Sequence, residues 1–475
     1  MDAAPASPTR RTRFSPEKRR RGLILSIYEG MSAQAQTCCS GCGGGAPNAI
    51  TIAFAFWLGA QDMELALLAA LAVAGSFFQY LGAAILPRLA SRKPIVAWSA
   101  IVGRVTWLGI GAIPFLLSRH TGLYLFLFLW FLVNALLALS GNLWTSWMAD
   151  LCPPPIRGRY FARRTAATTL VAVLLPLATS YVLDRWFGGA PDGLVEGTPL
   201  QARGFFFVFA AAAFFGVLCG FLITWQPEPP RDLPPGASHF SFGWLATPFR
   251  DRRYRPLALF TLVFGAANGL ANPFWTAFQL QDLELAYGYV NGWFIVLQGL
   301  FMVVSLPLWG RLCDRAGNRP AIAIALMFVC SHPYYYIFAT KARWWFMFFD
   351  AGSSGLAWAG YNLAIFNLVL VLAPREEREL YIATQAVIFG GAQAVFSLLA
   401  GSVVTRLPQA MPFLGMALHP RQQIFLITAI ARLACLGFFL GAVKEPKSKP
   451  IRVVIIAAGN FVKARMELFK LIPRD

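Results

Sequence analysis

The stretch Thr37–Asn48 reads TCCSGCGGGAPN, and whether it is helix or loop decides how often the chain crosses a bilayer. The apolar run that follows, Ala49 to Leu58, has ten residues, half of the ~20 that a helix needs to cross a hydrocarbon core. A first crossing must therefore recruit the cysteines and glycines, and the stretch reads as membrane helix. Gly41 and Gly45 then stand in a GxxxG relation, where the missing side chains let a neighbouring backbone approach. Thr37, Gly41, Gly44, Asn48 and Thr51 follow at spacings of four, three, four and three, one small and polar helix stripe. Cys39 and Cys42 make a lone CxxC; with no second pair and no nearby histidine it lacks the donors of a zinc site and reads as small-residue packing.

The rest of the chain has the same solvent. Of 475 residues 57% are hydrophobic and 13% charged, against roughly 25% charged in an average soluble domain, and mean hydropathy is +0.56. Twelve apolar windows run near 33–58, 63–87, 95–117, 123–148, 162–183, 204–225, 257–280, 287–309, 320–340, 344–372, 381–404 and 422–443. An even number returns both termini to one side. The net charge of +19 would suggest nucleic acid on a soluble surface, but it lies between the windows. Loops on the side of the termini hold thirty-two Lys and Arg and those opposite hold seven. This is the positive-inside pattern; it puts both termini in the cytoplasm, with a bacterial-type inner (plasma) membrane as the expected location, and needs no nucleic-acid partner. The opening MDAAPASPTRRTRFSPEKRRRG lacks the short apolar core and cleavage site of a leader and reads as a cytoplasmic tail. Eight scattered cysteines give no disulfide framework, and four isolated histidines no metal or cofactor site.

QDMELA at Gln61–Ala66 returns as QDLELA at Gln281–Ala286, an offset of 220; Pro153, Arg157, Tyr160 and Ala162 return as Pro374, Arg378, Tyr381 and Ala383 at 221. An offset held to within one residue across separate blocks marks a duplication. The expected organisation is a basic N-terminal segment (1–32), a six-helix bundle (33–225), a Pro-rich cytoplasmic linker (226–256), a second six-helix bundle (257–443) and a basic tail (444–475) whose alternation from Pro450 suits a helix on the membrane surface.

Between the eighth and ninth windows stands GRLCDRAGNRP, Gly310–Pro320. With Gly310, Asp314, Arg315, Gly317 and Arg319 it resembles the G-x-L-x-D-R-x-G-R-R signature of the major facilitator superfamily, with Asn318 in place of a basic residue. ILPRLASRKP after the second window resembles the degenerate copy, and PPPIRGRYFARR the element before the fifth helix. The resemblance implies an all-α membrane protein of twelve transmembrane helices in two pseudo-symmetric six-helix bundles. It also implies a monomeric secondary transporter, a symporter or antiporter rocking about a central site, that moves a small-molecule solute with H+ as a candidate coupling ion. Aligning Pro94 with Pro320 puts Arg88 where Asp314 stands, so the first link has lost its acid. A swapped gate is expected: Arg88, Arg92 and Lys93 with Glu376, Glu377 and Glu379, and Asp314 with Arg157, Arg159, Arg163 and Arg164.

In this family helices one, four, seven and ten line the cavity, which singles out Asn48, Asn134, Asn142, Asn268, Asn272, Gln279, Asp350, Ser354 and Tyr361 as pathway candidates. Asn272-Pro273 reads as a kink. Asp350 is the carboxylate placed within the membrane on a cavity helix, hence the coupling candidate; a salt bridge to a residue such as Arg432 is the structural alternative. Arg104 and Arg432, on helices the family places peripherally, are expected to pack against a carbonyl or an acid. Glu29 reads as a helix-end group and His332 as a hydrogen-bonded core residue. No G-x-x-x-x-G-K-[ST] loop points to ATP. An enzyme is not expected; a transporter-like sensor or scaffold, or a membrane-embedded lipid-modifying enzyme, are the rival classes.

Overall fold

The computed structural model describes residues 14–41, 47–85, 89–186, 199–230, 247–374, 378–445 and 448–450. Residues 231–246 of the linker and 451–475 of the tail, where a surface helix is expected, lie outside the described residues. The N-terminal bundle comprises α1 (Pro16–Ser40), α2 (Ala49–Trp57), α3 (Asp62–Ser76), α4 (Phe78–Ile85), α5 (Lys93–Leu116), α6 (Arg119–Leu151), α7 (Pro154–Trp186) and α8 (Pro199–Trp225). The C-terminal bundle comprises α9 (Arg255–Ala271), α10 (Phe294–Ala316), α11 (Asn318–Phe338), α12 (Phe346–Leu372), α13 (Arg378–Val404) and α14 (Pro420–Ala442). A short helix Trp275–Ala277 and two π-helical turns, Phe278–Asp282 and Gly288–Trp293, join α9 to α10. Among the described residues eleven helices are long and apolar enough to cross a membrane; the remaining candidate is α1 with α2.

That first crossing corrects the expectation for Thr37–Asn48. The stretch is not one continuous helix: α1 ends at Ser40, Gly41 turns left-handed (φ 69°), and its N–H closes the helix on the Thr37 carbonyl. Asn48 restarts the chain as N-cap of α2, accepting from the Thr51 amide at 3.0 Å and donating to the Cys38 carbonyl at 3.1 Å. A polar break in lipid is stable only when its backbone groups are met like this. α1 runs unbroken from Pro16 through residue 32 to Ser40. Gly45 of the expected GxxxG pair lies outside the described residues; among the described residues, Gly265 and Gly269 on α9 permit close approach to a neighbouring backbone. A Cβ at Gly265 would lie 2.6 Å from the Phe389 carbonyl oxygen of α13, and one at Gly269 would strike the Gln393 carbonyl oxygen.

All nine residues of α2 are buried. Phe54 sits among Phe126, Phe205 and Phe209 with ring centroids 5.1–5.2 Å away, a cluster that anchors the short helix by apolar area. On α8 Phe205, Phe209 and Ala212 face inward, whereas Phe207, Phe214 and Phe221, seven apart, are exposed. Large exposed phenylalanines on a regular stripe suit lipid.

The duplication is visible in the packing. α5 pairs with α8 and α6, α6 with α3, and α1 with α8 and α7; in the second bundle α11 pairs with α14 and α12, α12 with α10, and α9 with α14 and α13. The first helical segment of each bundle is broken: α1 gives way to α2, and α9 stops at Ala271 and resumes at Trp275 after Asn272-Pro273, where proline supplies no amide hydrogen. The bundles meet where α3 runs along α13 and α7 meets Gly288–Trp293.

Candidate functional site: a polar cavity at the seam

A cavity of about 540 Å³ lies at the seam. Asn48 and Ala49 reach it from the N-terminal bundle, and Asn268, Asn272, Gln279, Asp350, Ser354 and Arg432 are among its lining residues from the other. Asn48 and Asn268 stand 220 positions apart, the offset of the repeat, so each bundle contributes the same asparagine from its broken first crossing.

The polar groups of the C-terminal wall are mutually bonded. The Tyr336 hydroxyl donates to Asp350 Oδ2 at 3.1 Å and accepts from Gln279 Nε2 at 2.8 Å. Arg432 donates to Asn268 Oδ1 at 2.8 Å and to the Val329 carbonyl at 2.9 Å, and its guanidinium lies 5.3 Å from the Trp275 ring centre. No ion pair joins Arg432 to Asp350 among the described residues, which leaves both charges facing the cavity. Arg432 was expected at the periphery; it sits about 18 Å along α14 from Pro420, and the break in α9 brings Asn268 and Trp275 against it. Ser354 Oγ lies 3.4 Å from His332 Nδ1, and His332, 4% exposed, lines the same cavity. Asn268 also donates to its own helix at the Phe264 carbonyl, and the Asn272 amide closes α9 on Asn268.

Three candidates face elsewhere. Asn134 donates to the Trp130 carbonyl of its own helix and packs on Gly75 of α3, Asn142 packs on Gly82, and Tyr361 lines a neighbouring cavity of about 280 Å³ that shares only Trp358 and Phe389 with the first.

On the side opposite the termini, Arg421 at the start of α14 binds Asp62 at 2.8 Å and Asp282 at 2.5 Å, and donates to Gln281 Oε1 at 2.7 Å. Asp62 is in the first bundle, so this is a clasp between bundles. Its acids belong to the two copies of the QD-x-ELA repeat. Asn291 Nδ2 reaches Ser180 Oγ at 3.3 Å across the second seam.

On the side of the termini, the expected swapped gate is not what Arg92 makes. Arg92 is fully buried and donates to Asp150 at 2.7 Å and Glu228 at 3.0 Å; the Arg92 and Lys93 amides also donate to Glu228. Burial pushes the Glu228 carboxyl up, but donors from Ser91, Arg92 and Lys93 outweigh it and hold the group below its ordinary value of 4.5. The C-terminal counterpart is Glu445, which accepts from Asn318 Nδ2 and the Arg319 amide, both at 2.7 Å, while the Arg319 side chain donates to the Val443 and Leu440 carbonyls. Each bundle thus closes on the glutamate of a Glu-Pro pair, Glu228-Pro229 or Glu445-Pro446, that caps its third crossing. A carboxylate at a helix N-terminus satisfies its free amides. Asp314 and Arg315 are exposed on α10 near Gly310, and among the described residues Asp314 makes no ion pair. Arg164, expected to face Asp314, instead pairs with Glu29 at 3.1 Å. Arg88, Glu376 and Glu377 lie outside the described residues, as do the side chains of Arg157 and Arg159 in the opening turns of α7.

The family model described as Major Facilitator Superfamily matches residues 35–290 and again 257–465. The chain belongs to the Major Facilitator Superfamily. Solved structures that this superfamily member resembles include a D323A mutant of the nucleoside transporter NupG (14% identity, TM-score 0.63, 90% of this chain and 100% of that one). They also include a D-xylose-proton symporter (13%, 0.63, 91% and 98%) and a bacterial homolog of the human lysosomal transporter Spinster in an inward-facing and occupied conformation (13%, 0.65, 90% and 97%). At these identities the likeness shows the fold. No curated protein matches the sequence.

Two features of this superfamily member escaped the sequence reading. The Arg421 clasp was hidden because Arg421 reads as one of seven loop cations; the repeated aspartates were the available signal. Trp275, Tyr336, Gln298 and Gln393 line the cavity from positions whose sequence context is plain apolar helix.

Proposed function

We propose that the chain is a secondary transporter that carries a small polar solute through the seam cavity by alternating access, in the conformer shut on the side opposite the termini. The observation that carries this reading is the pairing of a 540 Å³ cavity, lined by the repeat-equivalent Asn48 and Asn268, with the Arg421 clasp beyond it. That volume is typical of small-molecule sites. The basic loops give the side of the termini to the cytoplasm, so the conformer is inward-facing, and α1 with α2 makes the twelfth crossing. One carboxylate and one guanidinium, with amides and Trp275, suit an uncharged or zwitterionic solute that can hydrogen-bond and stack. Asp350, hydrogen-bonded but without an ion-pair partner among the described residues, is the group for H+ coupling.

The test is a thermal-shift screen of the purified protein against neutral and zwitterionic metabolites, followed by counterflow of each hit in proteoliposomes. A ligand at 100 times its Kd adds about 2.7 kcal/mol. Counterflow of a hit supports the reading; hits that bind without counterflow would make the protein a sensor built on a transporter fold.

A further inference from the structure

A second polar cavity, of about 170 Å³, lies among the helices of the N-terminal bundle and shares no lining residue with the seam cavity. Glu29, Gln36 and Thr37 of α1, Arg104 of α5, Ser140 of α6 and Arg164 of α7 are its polar lining residues. The charges do not balance. Glu29 is committed to Arg164, whose Nη2 lies 3.1 Å from it, and accepts from the Cys219 thiol at 3.5 Å. Arg164 is fixed further by donating to the Ser26 carbonyl at 3.2 Å and by lying 4.4 Å from the ring centre of Trp144.

Arg104 has no such arrangement. It is 8% exposed, its stem lies against Gly216 with no room for a Cβ between them, and its Nε and Nη1 have no hydrogen-bond partner among the described residues. A buried guanidinium without an anion or acceptor is costly. The cavity beside it is lined by two guanidiniums against one carboxylate and has room for about five waters at roughly 30 Å³ each.

We propose that this cavity binds a small oxyanion, a carboxylate or phosphate group, held by the unpaired guanidinium of Arg104 with Arg164, Gln36 and Thr37 around it. A guanidinium fork matches two oxygens of either group. One negative charge neutralises the lining, which favours a monoanion over a multiply charged ligand. The site does not depend on the transport reading, and its test needs no transport.

The full chain, purified in detergent, is titrated with sodium acetate or inorganic phosphate and its melting temperature compared with that in chloride at equal ionic strength. A saturable rise above chloride is expected for at least one of the two. Arg104→Gln should weaken the apparent affinity at least tenfold, and Lys341→Gln, at an exposed cation outside both cavities, should leave it unchanged. No rise above chloride in the parent protein, or an unaltered affinity in folded Arg104→Gln, overturns the proposal. If Arg104→Gln does not fold, Glu29→Gln decides: it frees Arg164 as well and should tighten binding at least threefold, and equal or weaker binding overturns the site.

Discussion

Asp62 and Asp282 hold the same guanidinium: Arg421 lies 2.8 Å from one and 2.5 Å from the other, although 220 residues separate them. The duplicated hexapeptide thus supplies one carboxylate from each bundle to a cation found in one bundle only, since Leu200 takes the place of Arg421 when Pro199 is matched to Pro420. Two acids on one arginine make the clasp unequal in its response to substitution.

Arg421→Gln removes the cation and leaves two carboxylates facing each other, so the bundles should part on that side. Hydrogen bonds to charged groups contribute about 1.5–3 kcal/mol each, enough to shift a two-state population tenfold or more. Asp62→Asn leaves a one-to-one pair and should cost about 1 kcal/mol or less, as for partly exposed pairs. The measurement is labelling of a cysteine placed at Ala351, a buried cavity residue, by an impermeant maleimide added from the side opposite the termini. Labelling should rise sharply in Arg421→Gln and little in Asp62→Asn; equal labelling in all three would mean the clasp does not gate.

Glu228 should matter more than its repeat counterpart. It caps α5 and neutralises fully buried Arg92, whereas Glu445 caps α11 while Arg319 satisfies itself on backbone carbonyls. Glu228→Gln should lower stability by about 1–3 kcal/mol, and Glu445→Gln by less, read as melting temperatures. The carboxyl of Glu228 is held below 4.5 in the fold. A depressed folded value contributes stability above the unfolded pKa and loses it as pH falls through the folded one. The parent protein should therefore weaken in acid below about 4.5, and Glu228→Gln should flatten that part of the profile.

The break in the first crossing yields a double-mutant test. Gly41→Ala places a Cβ where φ is 69° and where the Asn48 amide nitrogen and side chain would lie 2.6–2.8 Å away. The left-handed backbone alone costs about 1–2 kcal/mol. Asn48→Ala removes the α2 cap, about 1 kcal/mol, but also removes the side chain that the new methyl group would strike. The pair should therefore cost less than the sum of the single changes. Strict additivity by thermal melts would mean that the two ends of the break do not touch.

What could be read from sequence followed the length of the signal. Repeats, loop charges and apolar windows integrate over many residues, so the two-bundle plan and the break after α9 at Asn272-Pro273 were legible. Thr37–Asn48 was misread because length counting sees only how many apolar residues lie between charges, and a helix that stops at Gly41 and restarts at Asn48 has the same count as one that does not. Gly265 and Gly269 carry the same spacing as Gly41 and Gly45, and only packing shows that they meet a neighbouring backbone. Arg92 illustrates the same limit for charge: its partners Asp150 and Glu228 are 58 and 136 residues away, and no local pattern distinguishes them from the acidic cluster at Glu376.

Arg432 and Asp350 should separate binding from coupling. Arg432→Gln takes the guanidinium from the cavity wall, frees Asn268 Oδ1 and removes the charge over Trp275, so any solute recovered in the screen should bind at least tenfold more weakly whatever the pH. Asp350→Asn keeps the size of the side chain and an acceptor for the Tyr336 hydroxyl, 3.1 Å away in the parent, while abolishing titration. Binding should then persist, and the pH dependence of uptake should be lost together with uphill accumulation driven by a pH gradient. An Asp350→Asn protein that still accumulates solute against its gradient with the parental pH profile would remove this carboxyl from the coupling step, and a folded Arg432→Gln protein with unchanged affinity would remove the arginine from the binding wall.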